Sequence, residues 1–524
     1  MMTDSRVERA KKGAKKGILS VVFSRTALIL VLLIAQIALL FSVTFLTTGN
    51  SSKFYIIFTV LSVIVVIYIY NHKSNPAFTM TWVLLIMIFP VFGTVFYIFV
   101  KSQLGSRNVG KTLDRIKVET SRYMGQKRDV ISELRVSKPA NANLAHYMKY
   151  QLGFPTYRNT RAVYFASGEE KFPALLEELG RAEKFIFMEY FIVEESYMWD
   201  QILKVLRRKV KEGVEVRFMY DGMCSISMLP YDYPKKLQRY GIKCKMFSPI
   251  HPVLSTTQNN RDHRKICVVD GRVAFTGGIN LGDEYINRKE RFGYWKDTAI
   301  MLEGEAVQSF TMMFLEMWNV TEKRVDYYKR YLTPSQKELK RELGFVLPYA
   351  DSPFDEENVG EEVYFHILNH AKKYVHIMTP YLILDNEMSD TLCRAAKSGI
   401  EVIIIMPGIP DKPYAFALAK TFYKELMDAG VQIYEFTPGF VHAKVFVSDN
   451  DTATVGSINL DYRSLYLHFE CGVFIYNNQV VRDIEMDYQK TLKKCHKVTY
   501  EDLRKISPFT KIEGHVLRLV APLM

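Results

Sequence analysis

Hydrophobic positions follow two regimes along this chain. Up to about residue 100 they run in long unbroken blocks. Beyond about residue 160 they come in short runs, separated by helical patterns and turn residues. The blocks cover 26–46, 54–70 and 77–100, which are 21, 17 and 24 residues without a charge. At about 1.5 Å of rise per helical residue the first reaches roughly 30 Å, the hydrocarbon thickness of a bilayer. It is too long for the apolar region of a signal peptide, and no A-x-A-like cleavage site follows it. Three blocks joined by short loops predict an N-terminal transmembrane helical region within residues 1–100.

Charge complicates the topology. A basic leader (1–25) carries Arg6, Arg9, Lys11, Lys12, Lys15, Lys16 and Arg25 against Asp4 and Glu8. The stretch after the third block is basic too, with Lys101, Arg107, Lys111, Arg115, Lys117, Arg122, Lys127 and Arg128. The positive-inside rule places both in the cytoplasm, whereas three full crossings would separate them. One block is therefore expected not to cross. The short second block and the third, interrupted by Pro90 and Gly93, are the candidates. Residues 101–160 read as a basic, partly helical juxtamembrane connector suited to anionic headgroups.

From about residue 160 the chain repeats itself. Gly213-Val-Glu-Val-Arg-Phe-Met-Tyr-Asp-Gly222 parallels Gly399-Ile-Glu-Val-Ile-Ile-Ile-Met-Pro-Gly408. Gly241-Ile-Lys-Cys-Lys-Met-Phe-Ser-Pro249 parallels Gly430-Val-Gln-Ile-Tyr-Glu-Phe-Thr-Pro438. Each half alternates strands with helices, among them 199–211 and 387–397. That predicts an α/β fold of two duplicated halves, 161–345 and 346–524, each around a mostly parallel sheet.

The sharpest repeat carries chemistry. His263-Arg-Lys265-Ile-Cys-Val-Val-Asp270 recurs as His442-Ala-Lys444-Val-Phe-Val-Ser-Asp449, 179 residues on, and both copies continue to an asparagine, Asn280 or Asn459. Residues i and i+2 of a strand share a face, so His and Lys point the same way. A turn at Gly271, or at Asn450 and Asp451, would return the chain and bring each asparagine beside its own His-Lys pair. An imidazole, an ammonium and an amide on one rim can attack, neutralise and hold a phosphate. Asp270 and Asp449 lie too far along their strands to reach their own histidines. Glu470 is a candidate for fixing a histidine tautomer. Asp221, Trp295, Asp297 and Tyr381 are weaker candidates for the pocket lining.

The paired H-x-K-x4-D motif resembles the signature of the phospholipase D superfamily. Gly277-Gly-Ile-Asn-Leu-Gly-Asp-Glu-Tyr285, Phe292-Gly-Tyr-Trp-Lys-Asp297, Thr379-Pro-Tyr381 and Gly456-Ser-Ile-Asn-Leu-Asp-Tyr-Arg-Ser464 look like its bacterial cardiolipin synthase branch. The likeness covers roughly residues 54–524. One departure is His468, where that branch carries asparagine. The resemblance implies two phospholipase D-like halves packed with pseudo-twofold symmetry, and a site between them. It implies His263 as nucleophile forming a phosphohistidine, and His442 as the acid and base. Lys265 and Lys444 would neutralise the phosphoryl oxygens, with Asn280 and Asn459 donating to them. Asp270 and Asp449 belong to its motif, to orient the site or brace the turn. The implied substrates are two phosphatidylglycerols, giving cardiolipin and glycerol, in a multi-pass protein of the bacterial cell membrane with its catalytic region in the cytoplasm.

Composition adds limits. The net charge of +13 fits an anionic membrane surface or nucleic acid. The basic residues cluster at the membrane boundary, which favours lipid and no nucleic acid. The six cysteines form no C-x-x-C pair, so neither a zinc ribbon nor a dense disulfide framework is expected. No H-E-x-x-H run and no glycine-rich phosphate loop is present, so no metal and no cofactor are expected. The rival readings are a phospholipid hydrolase, a nuclease on the same fold, and a membrane scaffold without activity.

Overall fold

The computed structural model describes residues 52–102, 104–249, 259–322, 326–332, 344–355 and 357–523. The leader and the 26–46 block lie outside them. The chain divides into two units. One holds the N-terminal helices and residues 222–230, and the other holds both repeats together with the segment from Gly105 onward.

In the first unit, helix α1 spans Ser52–Asn71. The third block is not one helix. It forms α2, Pro76–Ile88, and α3, Pro90–Ser102, of 13 residues each. The break falls at Phe89, which leaves helical geometry at φ −130° and ψ 75°. Pro90 is the cause, because its ring disfavours helical geometry in the residue before it. Asn75 caps α2 by accepting from the Ala77 N–H at 2.9 Å. Ser62 and Thr94 share a buried hydrogen bond of 2.7 Å between α1 and α3. Among the described residues no helix is long and apolar enough to cross a membrane.

In the second unit, residues 105–160 are less a linker than a packed part of the body. Helices Arg128–Ser137 and Pro139–Tyr150 bury Val130, Leu134, Ala142, Leu144 and Met148. Three lysines of this segment pair with acids of the repeats: Lys117 with Asp355 at 3.1 Å, Lys127 with Glu305 at 2.7 Å and Lys138 with Asp451 at 3.2 Å.

The first repeat supplies strands β1 (Thr160–Phe165), β2 (Phe185–Tyr190), β3 (Glu215–Asp221), β4 (Lys243–Phe247), β5 (Lys265–Val269), β6 (Val273–Gly277), β7 (Tyr294–Lys296) and β8 (Ala299–Gly304). The second supplies β9 (Phe345–Asp351), β10 (Tyr374–Met378), β11 (Glu401–Pro407), β12 (Gln432–Phe436), β13 (Gly439–Val441), β14 (Val445–Ser448), β15 (Thr452–Gly456), β16 (Glu470–Tyr476) and β17 (Cys495–Lys497). The sheet orders are β1-β8-β6-β5-β2-β3-β4 and β9-β16-β15-β14-β10-β11-β12-β17. The second repeats the first strand for strand and adds one at its edge.

The sheets are mixed rather than mostly parallel. Within these two sheets only β2-β3-β4 and β10-β11-β12 run parallel. The motif strands are joined by three-residue connections, 270–272 and 449–451, and so short a connection can link only antiparallel neighbours. Helix Tyr197–Lys211 covers the parallel side of its sheet with Met198, Trp199, Ile202 and Leu206 at helical spacing. Helix Asn386–Lys397 does so in the second half, capped by Asp385 accepting from the Met388 N–H. Helix Val307–Asn319 is buried around nearly its whole circumference and touches strands of both sheets.

The motif aspartates build these turns. Asp270 and Gly271 both have positive φ (55° and 63°), as do Asp449 and Asn450 (55° and 57°). That is the pattern of a type I′ hairpin turn, which residues with short polar side chains or none tolerate best. The Asp270 carboxylate accepts from the N–H groups of Glu183, Lys184 and Phe185, each at 2.8 Å. Asp449 accepts from Lys372, Lys373 and Tyr374 at 2.7, 2.9 and 3.1 Å. Of their two expected roles, bracing the turn is the one this geometry supports. Neither carboxylate joins the histidines. Asp270→Ala strands three backbone donors and should lower stability by about 2–4 kcal/mol, read as a fall in the urea midpoint. An unchanged midpoint would show that the clamp adds nothing.

Candidate active site

Each motif enters its site beside the other half. The His263 N–H donates to the Phe469 carbonyl at 2.9 Å, and the His442 N–H to the Lys296 carbonyl at 2.7 Å. Strands β13 and β7 pair in parallel across the halves, Gly439 to Tyr294 through Val441 to Lys296. This exchange carries two carboxylates to the opposite histidines. Nδ1 of His263 lies 2.8 Å from Glu470 Oε1, and Nδ1 of His442 lies 2.6 Å from Asp297 Oδ2. With Nδ1–H donating to the carboxylate, each Nε2 keeps its lone pair for the site.

The local backbone makes room for this. A Cβ on Gly278 would stand 2.1 Å from Asp297 Oδ1, so only glycine admits that carboxylate. Ser457 occupies the matching position in the second half and donates its hydroxyl to Glu470 Oε2. Rings complete the walls. Phe191 meets His263 at 4.8 Å between centroids, and Trp295 and Tyr285 meet His442 at 5.3 and 5.7 Å.

Lys265 and Lys444 turn back on their strands, and each Nζ donates to the carbonyl of its own histidine. Both are fully buried. Burial brings Lys265 down to about 8 and Lys444 down to about 7, with carboxylates of the site working against it. Asn280 accepts from the Ile192 N–H and donates to the Tyr285 hydroxyl. Asn459 donates to Ser464 Oγ at 3.0 Å, and its buried Oδ1 has no partner among the described residues.

The two histidine pairs differ electrostatically. Burial pushes Glu470 up to about 8, opposed by Lys265. Asp297 is just as buried, yet His442 and Lys444 hold it below the usual carboxylate range. His442 is brought down to about 4 by burial and by Lys444, against the pull of Asp297. His263 falls further, through burial, Lys265 and the neighbouring His468. One imidazole thus faces a firmly ionised partner, and the other faces a carboxyl that holds a proton readily.

The weaker candidates separate. Trp295 and Asp297 are at the centre. Asp221 accepts from the Asp262 N–H at 2.9 Å and faces Arg261, so it braces the segment leading into the first motif. Tyr381 donates to Asp411 at 2.7 Å and accepts from Lys412. His468, a departure in sequence, lies beside the first histidine, with ring centroids 5.6 Å apart. Among the described residues, His263, His468 and Glu470 form a group whose ligand atoms lie within 4.8 Å of one another, close enough to hold a metal ion. Sequence reasoning gave Asp297 too little weight. The signal available was its place in Trp295-Lys-Asp297, the counterpart of His468-Phe-Glu470.

Comparisons with known proteins identify the family. A family model described as cardiolipin synthase, PLD-like domain, matches residues 175–318 and 364–492. Another, described as phospholipase D-nuclease N-terminal, matches 59–101. A cardiolipin synthase of Alkalihalophilus pseudofirmus is 32% identical over 500 residues, covering 94% of this chain and 99% of that protein. One from Clostridium perfringens is 33% identical, covering 86% and 95%. The crystal structure of a phosphatidylserine synthase from Haemophilus influenzae is similar in fold, with a TM-score of 0.55 at 16% identity over 74% of this chain and 97% of that one. The chain belongs to the bacterial cardiolipin synthase branch of the phospholipase D superfamily, and it is an enzyme of that superfamily.

Proposed function

We propose that this enzyme joins two phosphatidylglycerols into cardiolipin and glycerol at the bilayer. The observation that carries the reading is the pair of buried histidines, each oriented through Nδ1 by a carboxylate of the opposite half. A phosphodiester between them meets a nucleophile on one side and a proton carrier on the other. His263 Nε2 attacks phosphorus, and glycerol leaves with a proton from His442. A phosphatidyl-histidine remains. The hydroxyl of a second phosphatidylglycerol then gives its proton to His442 and displaces His263 from phosphorus.

The charge difference between the pairs supports this order. An imidazole that must become cationic gains from an ionised partner, and Asp297 is that partner. An incoming phosphodiester further favours protonation of His442. His263, kept neutral by burial, retains the lone pair a nucleophile needs. Lys265 and Lys444 would neutralise the phosphoryl oxygens. The amides of Asn280 and Asn459, each with a second N–H, would donate to them. Asp270 and Asp449 hold the hairpins that present these groups.

Membrane attachment fits the N-terminal unit. Ile56, Ile57, Val60, Val63, Ile64 and Ile67 along α1 are all more than half exposed. An apolar surface of that kind suits lipid better than water. The catalytic region is assigned to the cytoplasmic side on the strength of the basic flanks.

Purified protein with vesicles of phosphatidylglycerol alone should release cardiolipin and glycerol, identified by mass spectrometry. Phosphatidic acid as the sole product would assign a hydrolase instead. Asp297→Asn should lower kcat by about two to four orders of magnitude, because the amide favours the wrong tautomer of its histidine; a rate near wild type would reject the orienting role. In His442→Ala, donor lipid with a better leaving group should leave an acid-labile phosphatidyl adduct on His263. Its appearance on another residue would reverse the assignment. Histidines, lysines and amides fill every role, so turnover should survive EDTA. A chelated enzyme rescued by one added metal would overturn the metal-free scheme.

A further inference from the structure

His468 is the least satisfied polar side chain of the centre. It is 8% exposed, and among the described residues neither imidazole nitrogen has a hydrogen-bond partner. A buried polar group left unpaired costs about 1–3 kcal/mol and calls for an explanation. Its ring leans over His263, 5.6 Å away between centroids and tilted by 39°. Phe191 closes the apolar side, 6.5 Å from the His468 ring. Glu470, two residues on, is fixed by Ser457 and by Nδ1 of His263.

We propose that His263, His468 and Glu470 form a reversible inhibitory site for a borderline-soft divalent cation of the zinc class. Two imidazoles and one carboxylate are a ligand set that such ions take, with an open fourth position. Hard magnesium or calcium would want oxygen ligands instead. The ligand atoms already lie within 4.8 Å of one another. Around a bound zinc they would sit about 3.3 Å apart, given bonds of about 2.0–2.1 Å. The contraction falls on the His468 side chain, and the one hydrogen bond given up is that between Nδ1 of His263 and Glu470. Lys265, Arg261, Arg463 and Lys412 all contribute positive charge at His468. They weaken cation binding, so the site is reversible rather than structural. A metal on Nδ1 of His263 replaces the hydrogen bond to Glu470 and moves the imidazole proton to Nε2, which then has no lone pair with which to attack phosphorus.

The effect on turnover rests on the role given to His263 in the proposed function, whereas binding does not. The test therefore measures binding first, without lipid. Untagged full-length protein, washed with EDTA, is dialysed against zinc and its metal content measured. It is also titrated with cobalt for the visible bands of a nitrogen-ligated tetrahedral ion. One metal per chain, a rise in Tm with zinc and the cobalt bands are expected. His468→Asn should weaken zinc binding at least tenfold and abolish the Tm shift. Equal binding in His468→Asn and wild type would overturn the proposal. Should that variant fail to fold, wild-type protein without cobalt bands would overturn it too. In the activity arm, zinc should cut cardiolipin formation at least tenfold with reversal by EDTA. Bound metal with full turnover would overturn the inhibitory role alone. Absence of cardiolipin synthesis in metal-free protein would instead count against the proposed reaction.

Discussion

The structure depends on a reciprocal exchange between its halves. Each histidine takes its orienting carboxylate from the opposite repeat, and each motif backbone docks on the segment that carries that carboxylate. Neither half alone could fix its own tautomer. The exchange explains why a duplicated fold keeps one site rather than two. It also explains why side chains as costly to bury as Glu470 and Asp297 lie at the interface. A buried carboxylate is tolerated where it is fully bonded, and each of these has both an imidazole and a further donor.

Duplication does not bring equality. The two halves share strand order, turn type and aspartate clamp, yet they differ at the residues that surround the histidines. The first offers Gly278 beside Asp297, and the second offers Ser457 beside Glu470. The shorter acid stays ionised against His442 and Lys444, and the longer one is pushed up by burial. Small substitutions on a symmetric frame have separated the two imidazoles into different electrostatic roles.

Much of this was legible in the chain. The i, i+2 spacing put His263 with Lys265, and His442 with Lys444, on shared faces. The repeated glycine-bounded segments foretold β3 with β11 and β4 with β12. What was not legible is mostly a matter of long range. Nothing near His442 in sequence names Asp297 as its partner, because the contact crosses 145 residues. The parallel reading of the sheets came from counting helices between strands, but the motif hairpins reverse direction through three-residue connections. The connector read as a basic segment for anionic headgroups because Lys117, Lys127 and Lys138 pair with acids more than 170 residues away. The interruption of the third apolar block was legible at Pro90, whose steric veto on Phe89 separates the two helices.

The two lysines pose the remaining physical question, since a buried ammonium is costly. Each donates to the carbonyl of its own histidine, which satisfies one proton of three. Burial has already drawn both well below the usual ammonium range, against the attraction of Glu470 and Asp297. Such a site is short of negative charge. A phosphodiester supplies it, restoring the preference of both lysines for their charged forms and adding acceptors for their unspent protons. The energy withheld in folding an underpaired cationic cluster is thereby returned on binding an anion. This favours a substrate that carries its charge at the reacting phosphorus, and the gain grows as further charge collects on those oxygens in the transition state.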